Sequence, residues 1–390
     1  MRIGIVLPAV PTYSETFFNT KIKGLEKHGF SVVVFTNSSN KVTSDSFEIK
    51  TAPKLKGNKV VVTFTSVYIL VLSFLLYFRR TKKLYVLDRK DNIRFLHRLK
   101  NIISSYHILG ANLDWLHFGF GTMVFNKENV AKAIGTKMAV SFRGFDIGVY
   151  PLKNPNCYNK LWKKVHRIHV ISDDIKDLVY KNGFREDSDI IKITPAISTL
   201  FLNYNKSFLS TKENKFITIA RLHWKKGLVY TLEALSIIKN QGIPFHYTII
   251  GEGNEIERLK FAVYQLNLCD NVTFKGKIEH EQIKNELKKA SVYLQYSIQE
   301  GFCNSVLEAQ AAGLLCIVSD AEGLSENIIN KETGWVVPKC KPQELATKIE
   351  YVVNIPIEKK NIIISSARER VSEYFAINRQ HQKFVAFYEN

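Results

Sequence analysis

Short apolar runs alternate with helical stretches from one end of this chain to the other, and that alternation most restricts what it can fold into. Ile3–Leu7 reads as a strand, Glu15–His28 as a helix closed by Gly29, and Ser31–Thr36 as a second strand. Further strands are expected at Asp114–Phe118, Met138–Phe142, Arg167–Ile171 and Ile190–Thr194. The pattern restarts at Phe216–Ala220 and runs through a helix at Val229–Lys239, a strand at His246–Ile250 and a helix at Glu255–Leu266. Strands at Asn271–Phe274, Ser291–Gln295 and Leu315–Ser319 follow, with helices between them. Apolar strands interleaved with helices belong to parallel sheets covered on both faces. At 390 residues the chain is long for one core, so two domains are expected. The polar stretch Asn203–Asn214 (NYNKSFLSTKEN) reads as the linker between two doubly wound, Rossmann-like α/β domains, 1–200 and 201–374. A C-terminal helix at about 375–390 is left able to return to the first domain. Ligands of such sheets bind outside the carboxyl ends of the strands, so a central cleft faced by both domains is the expected site.

Charge separates the two halves. Residues 1–200 hold 31 Lys/Arg against 15 Asp/Glu, and residues 201–390 hold 24 against 21, within a net charge of +19. Residues 51–100 alone hold 12 against 2. A basic first half calls for an anionic partner, such as a membrane surface, a phosphorylated acceptor or nucleic acid. Its aromatics lie inside apolar strand patterns and do not interleave with Lys/Arg as a base-stacking platform would, which argues against nucleic acid. Val60–Phe78 (VVVTFTSVYILVLSFLLYF) has 19 residues without a charge. Its β-branched beginning reads as a strand and Ser66–Phe78 as a buried or interfacial helix too short to span a bilayer. Cys157, Cys269, Cys303, Cys316 and Cys340 are scattered without a CxxC, the usage of a reducing compartment with no disulfide framework and no zinc site. MRIGIVLPAV runs into a strand pattern and lacks the features of a signal peptide.

Three segments follow strands of the second half and carry groups suited to chemistry. They are Arg221–Gly227 (RLHWKKG), Gly251–Gly253 (GEG) and Gln299–Gly313 (QEGFCNSVLEAQAAG). In the third, Gly301 allows a turn and Asn304 or Ser305 can cap a helix. Free amides at a helix start, with the helix dipole, favour a phosphate. Arg221 and Lys226 can bring two cations to the same anion. Each segment also has a plain structural reading. Ser305-x-x-Glu308 matches a capping box, Glu300 fits a solvated loop position, and RLHWKKG fits an exposed basic turn.

Taken together these segments resemble the donor domain of retaining GT-B glycosyltransferases, specifically glycosyltransferase family 4. The similar stretches are Ile219–Leu235, Ile249–Leu259, Val272–Ile278 and Gln299–Ile328, in the family's order and spacing. In the first half, Tyr13–Phe17 (YSETF), Asp114–Gly121 (DWLHFGFG) and Ser141–Ile147 (SFRGFDI) are more loosely similar to members that build exopolysaccharide or O-antigen. The resemblance implies a sugar transfer with retained configuration from a UDP-, GDP- or ADP-sugar to a saccharide or lipid-linked saccharide. It also implies work in cell-surface polysaccharide synthesis and a cytoplasmic enzyme peripheral to the inner face of the plasma membrane. By the same resemblance Arg221 and Lys226 neutralise the diphosphate, Glu308 accepts from the ribose hydroxyls and Glu300 contacts the transferred sugar. Gly251, Gly253, Gly301, Phe302, Cys303, Asn304, Ser305 and Val306 line the donor pocket, and Lys277–Ile278 lies against the base. No metal and no cofactor are implied, since the two cations fill the role of a divalent ion. Asp187-Ser188-Asp189 precedes a strand and reads as a polar loop. On the acceptor side stand Ser14, Glu15, Gly119, Arg143 and Asp146. Relatives show His-x-His where this chain has His117 then Gly119, which leaves His117 open between a catalytic and a structural residue. Arg143 stands where relatives carry His-Gly.

Three other readings compete. A glycoside hydrolase would use Glu300 and Glu308 as a pair across one bond, but would not call for Arg221, Lys226 and a helix start. A nucleotide-sugar epimerase of the same fold and a non-catalytic basic protein that binds nucleic acid or lipid are the others.

Overall fold

The computed structural model describes residues 1–11, 16–37, 47–185, 189–197, 201 and 214–389. The chain divides into two compact units, Met1–Ile193 with His381–Asn390, and Thr194–Gln380. The first is built on seven strands: β1 (Arg2–Leu7), β2 (Ser31–Thr36), β3 (Glu48–Thr51), β4 (Trp115–Phe118), β5 (Lys137–Phe142), β6 (Arg167–Val170) and β7 (Ile190–Lys192). They lie in the order β3-β2-β1-β4-β5-β6-β7, every pair parallel. Ile3, Ile5 and Leu7 of β1 pack with Phe18, Ile22 and Leu25 of the helix Thr16–Lys27. Phe384, Phe387 and Tyr388 of the last helix, Ile377–Glu389, complete that core.

The second unit repeats the plan with β8 (Asn214–Ile219), β9 (Phe245–Ile250), β10 (Val272–Phe274), β11 (Val292–Gln295), β12 (Leu315–Ser319) and β13 (Trp335–Val337). Their order is β10-β9-β8-β11-β12-β13, again parallel throughout. Both sheets are the doubly wound kind expected from the alternation. The winding reverses between β1 and β4 in one and between β8 and β11 in the other. Outside the carboxyl ends at such a reversal, loops diverge to opposite faces and leave a crevice.

Apart from the one expected at the beginning of Val60–Phe78, the strands expected from sequence lie within two residues of those observed. Two edge strands, β3 and β13, were not expected. EIKT alternates weakly and WVV has only three residues, too little for a pattern to stand out. The expectation for Val60–Phe78 is overturned. Lys59–Leu76 is one continuous helix of 18 residues, capped by Asn58, whose side chain accepts from the Val61 amide at 2.9 Å. β-branched residues disfavour a helix only by tenths of a kcal/mol each, about 0.5, and a capped apolar helix packed through Ile69 and Ser73 outweighs that. Nor is the helix buried, since those are its only two buried residues. The expected linker lies outside the described residues except for Asn214, which opens β8. Of the Asp187–Asp189 loop, only Asp189 is described, just before β7.

Candidate functional site

Three loops meet at the carboxyl ends of β8, β9 and β11. Main-chain bonds lace them: the Leu222 amide donates to Glu252 O at 2.8 Å, and the Ile298 amide to Lys225 O at 2.7 Å. The Gly251 amide donates to Gly276 O at 2.8 Å, which brings the exposed Lys277 and half-buried Ile278 beside the GEG turn. Gly251 is obligatory there. Its φ is +140°, and a Cβ would stand 1.9 Å from Ala220 O. Gly253 is held as tightly, with a Cβ position 2.1 Å from Leu222 O. Side chains at these two positions would force the loops apart.

The charged groups converge on the same place. Lys226 forms an ion pair with Glu300, the side chains 18% and 15% exposed. Burial opposes the Lys226 charge, but the Glu300 carboxylate outweighs it and holds the ammonium above its ordinary range. Arg221 is exposed and close enough to Lys226 for their charges to repel. Glu300 is itself fixed from behind, its amide donating to Glu322 Oε2 at 3.1 Å while Lys339 Nζ holds Glu322 Oε1 at 2.9 Å. Gly301, Phe302 and Cys303 then lead into the helix Asn304–Ala312. The Cys303 thiol is pushed up by burial and next by Glu300.

The capping expectations do not hold. Cys303 occupies the cap position and no side chain caps the helix, while Asn304 and Ser305 lie inside it. The Ser305 hydroxyl is used elsewhere, donating to Ile219 O at 3.1 Å and accepting from Tyr293 OH at 2.7 Å. Glu308 forms no capping box; its Oε1 lies 3.4 Å from His280 Nε2. No side chain therefore caps the first turn of this helix, at the point where Lys226 and Arg221 stand. Such an arrangement suits a doubly charged anion.

The first-unit candidates divide differently. Ser14 and Glu15 lie outside the described residues. His117, on β4, is fully buried: Nε2 lies 2.7 Å from Ser141 Oγ, and Nδ1 lies 2.6 Å from Tyr388 OH and 3.2 Å from Lys21 Nζ. Ser141 continues the chain to His169 Nδ1 at 2.8 Å. Burial first, then Lys21, His169 and Arg143, pushes the His117 ring well below the ordinary histidine range. Of the two readings left open for His117, this geometry is that of a polar core residue. Gly119 follows β4 and is packed against Leu7 and Phe18. Asp146 is buried and shapes its loop, Oδ1 accepting from the Arg143 and Gly144 amides and Oδ2 from the Gly121 amide, each at 3.0 Å. The Arg143 guanidinium carbon sits 3.5 Å from the centre of the Phe17 ring.

His280, Glu322 and Asn327 escaped the sequence reading. Asn327 clamps Cys303 from both sides, accepting from its amide at 3.1 Å and donating to its carbonyl at 2.9 Å. The Glu308 hydrogen bond first, against burial, raises His280 above the ordinary histidine value. Only Glu322 and Asn327 lay within a segment already singled out; nothing in sequence tied His280 to Glu308.

Residues 202–370 match the family described as glycosyl transferases group 1. The amylovoran biosynthesis glycosyltransferase AmsK of Erwinia amylovora is 28% identical over 263 residues, 60% of each chain. The UDP-Gal:alpha-D-GlcNAc-diphosphoundecaprenol alpha-1,3-galactosyltransferase of Escherichia coli is 30% identical, covering 55% of this chain and 54% of its own. The chain thus spans somewhat over half the length of these two curated relatives. Among solved structures, Anabaena Alr3699/HepE in complex with UDP and glucose superposes with a TM-score of 0.72 at 14% identity, over 99% of this chain and 98% of that one. Two doubly wound parallel sheets are the fold that the chain shares with that structure, and residues 202–370 are the part of the chain that matches glycosyl transferases group 1.

Proposed function

We propose that this protein is a retaining glycosyltransferase of family 4. It transfers a sugar from a nucleoside diphosphate donor to a saccharide or lipid-linked saccharide during cell-surface polysaccharide synthesis. One observation carries the reading: Lys226 and Arg221 stand beside an uncapped helix start at the reversal point of the second sheet, with Glu300 and Glu308 on either side of it. The similarity to exopolysaccharide enzymes and the UDP bound by a structural neighbour support it.

In this reading the donor diphosphate lies on the amides around Asn304–Val306, and Arg221 and Lys226 neutralise it. No divalent ion is required for that task. As the anomeric bond breaks, charge grows on the departing phosphate, and fixed dipoles and cations there lower the barrier. Glu300, held by Lys226 and by the Glu322 link at its amide, faces the transferred sugar. Glu308 takes the ribose hydroxyls, with His280 orienting its carboxylate. Lys277–Ile278 borders the base. The acceptor hydroxyl enters on the face the diphosphate leaves and gives its proton to the departing phosphate oxygen, and the protein's part is to hold both partners against that one face. The first unit serves the acceptor, with Arg143 as the candidate cation, and the enzyme works at the cytoplasmic face of the membrane.

Incubation with UDP-, GDP- and ADP-sugars tests this. One donor should bind and release its nucleoside diphosphate, faster with a lipid-linked saccharide. Absence of donor binding and release across the panel would overturn the reading.

A further inference from the structure

Beside the donor loop the second unit holds a cavity of about 250 Å³ whose lining includes none of Arg221, Lys226, Glu300 and Glu308. It lies among the single turn Trp224–Lys226, the start of the helix Leu228–Asn240 and the start of the helix Ile256–Gln265. Trp224 forms one wall and is 49% exposed, the most open of the four tryptophans. Its ring is tilted 35° to that of His223, with 5.6 Å between their centroids. Leu228, Leu259 and Ile298 add apolar surface. Main-chain bonds hold the walls in place. The Gly227 amide donates to Trp224 O at 3.1 Å, the Lys226 amide to His223 O at 2.9 Å and the Glu255 amide to Leu222 O at 3.2 Å.

Polar groups of both kinds share this lining. The Glu233 and Glu255 carboxylates accept, while Arg258 donates and reaches Glu255 Oε2 at 3.2 Å. His223 Nδ1 accepts from the Lys225 amide at 3.3 Å, so the neutral ring carries its proton on Nε2 and offers a second donor. Burial first, then the charges of Arg221 and Lys225, lowers the His223 pKa, which keeps that ring neutral at pH 7.

We infer that this cavity is a saccharide subsite, one pyranose ring lying on the Trp224 indole and its hydroxyls shared among Glu233, Glu255, Arg258 and His223. The lining selects that occupant. A sugar ring has C–H groups on its faces and hydroxyls around its edge, which match an aromatic wall bordered by acceptors and donors. A phosphorylated ligand is disfavoured, because two carboxylates stand against one guanidinium. The volume lies below the ~300 Å³ at which pockets begin to enclose a drug-sized ligand, so one ring enters and the rest of a glycan stays outside. Trp224 and Lys226 belong to the same turn, which tethers a glycan held here beside the donor loop. A tether raises the effective concentration of the chain at the site and favours long acceptors over single sugars. That role rests on the sugar-transfer reading; the binding does not.

The full chain is titrated with maltohexaose, cellohexaose, a mannan hexasaccharide and a galactan hexasaccharide, followed by saturation-transfer NMR and by acrylamide quenching of tryptophan fluorescence. At least one should bind and shield Trp224 from the quencher. Trp224→Ala should weaken that binding about tenfold, and Trp224→Phe, which keeps an aromatic face, should restore part of it. Glu233→Gln leaves the loop intact and should weaken binding about threefold. Melting temperatures of all three variants should match the parent chain. In transfer assays Trp224→Ala should raise KM for a hexasaccharide acceptor and not for the matching monosaccharide. Binding in a chain that releases no nucleoside diphosphate from any donor would keep the subsite and remove only its tethering role. Three results would overturn the inference: no member of the panel binds, binding survives both Trp224→Ala and Glu233→Gln, or saturating UDP displaces the hexasaccharide and so places it in the donor pocket.

Discussion

The two sheets share a winding order and reverse at the same place, yet their polar groups take opposite forms. In the first unit Lys21, His117, Ser141, His169 and Tyr388 make a buried relay of hydrogen bonds among β4, β5, β6 and two helices. Burial drives Lys21, His117 and His169 toward their neutral forms. In the second unit the corresponding end of the sheet carries partly exposed pairs, Lys226–Glu300 and His280–Glu308, beside an uncapped helix. Neutral, satisfied groups knit a core; charged ones held at the rim are available to a ligand. One topology supports both, so chemistry must be read from loop residues and not from the fold.

The sharpest way to break this comparison is Lys226→Ala. It should lower kcat/KM for the donor by about 100- to 1,000-fold, the size of effect for removing one group that stabilises transition-state charge. Circular dichroism should stay unchanged. Full turnover in that variant, with loss of turnover in a folded Lys21→Met chain, would reverse the roles of the two units.

His117→Ala tests the other side. Losing the ring strands Tyr388, Ser141 and Lys21, and a buried group without its partner costs about 1–3 kcal/mol. Thermal melting should show that loss, and kcat in the folded fraction should hold. A normal melting temperature with a collapsed kcat would make His117 a catalytic residue.

A smaller effect is expected from Glu308→Ala. Donor affinity measured by calorimetry should fall about tenfold, equal to about 1.4 kcal/mol, with little change in melting. An equal loss of both would return Glu308 to a purely structural role.

Acid separates the units most finely. His117 and His169 have lowered pKa values, so below about 6.5 the unfolded chain takes up protons that the folded core refuses. Their contribution therefore makes the first unit less stable as pH falls from 7 to 5. His280 has a raised pKa, so its pair with Glu308 stabilises fully below about 6.5 and fades as pH rises through the folded value. Hydrogen exchange followed by mass spectrometry at both pH values should show amides of β4–β6 losing protection in acid and those near His280 not. Glu308→Gln should abolish the His280 contribution alone.

Much of this was legible from residue patterns. The alternation predicts both sheets because a buried parallel strand reads as a largely apolar run, and β1, β2 and β12 have one. Arg221, Lys226, Glu300 and Glu308 stood out because each follows a strand. What failed depended on contacts distant in sequence. Ser305 has the spacing of a cap, but Tyr293 and Ile219 O claim its hydroxyl. Lys59–Leu76 has β-branched residues at its start, but Asn58 and the Ser73–Thr81 contact settle it as a helix. The His280–Glu308 pair joins residues 28 apart in sequence, beyond the reach of any local periodicity.

The placement of Phe384, Phe387 and Tyr388 in the first core, with Tyr388 O accepting from Trp115 Nε1 at 3.0 Å, bears on how the protein is made. Those residues leave the ribosome after the whole of Thr194–Gln380. Domains usually fold in the order of synthesis, but here the amino-terminal sheet emerges with a gap that only the last helix fills. The second unit needs nothing from that helix for its core, and released chains truncated before Phe384 should hold a folded β8–β13 sheet and an unfinished first sheet.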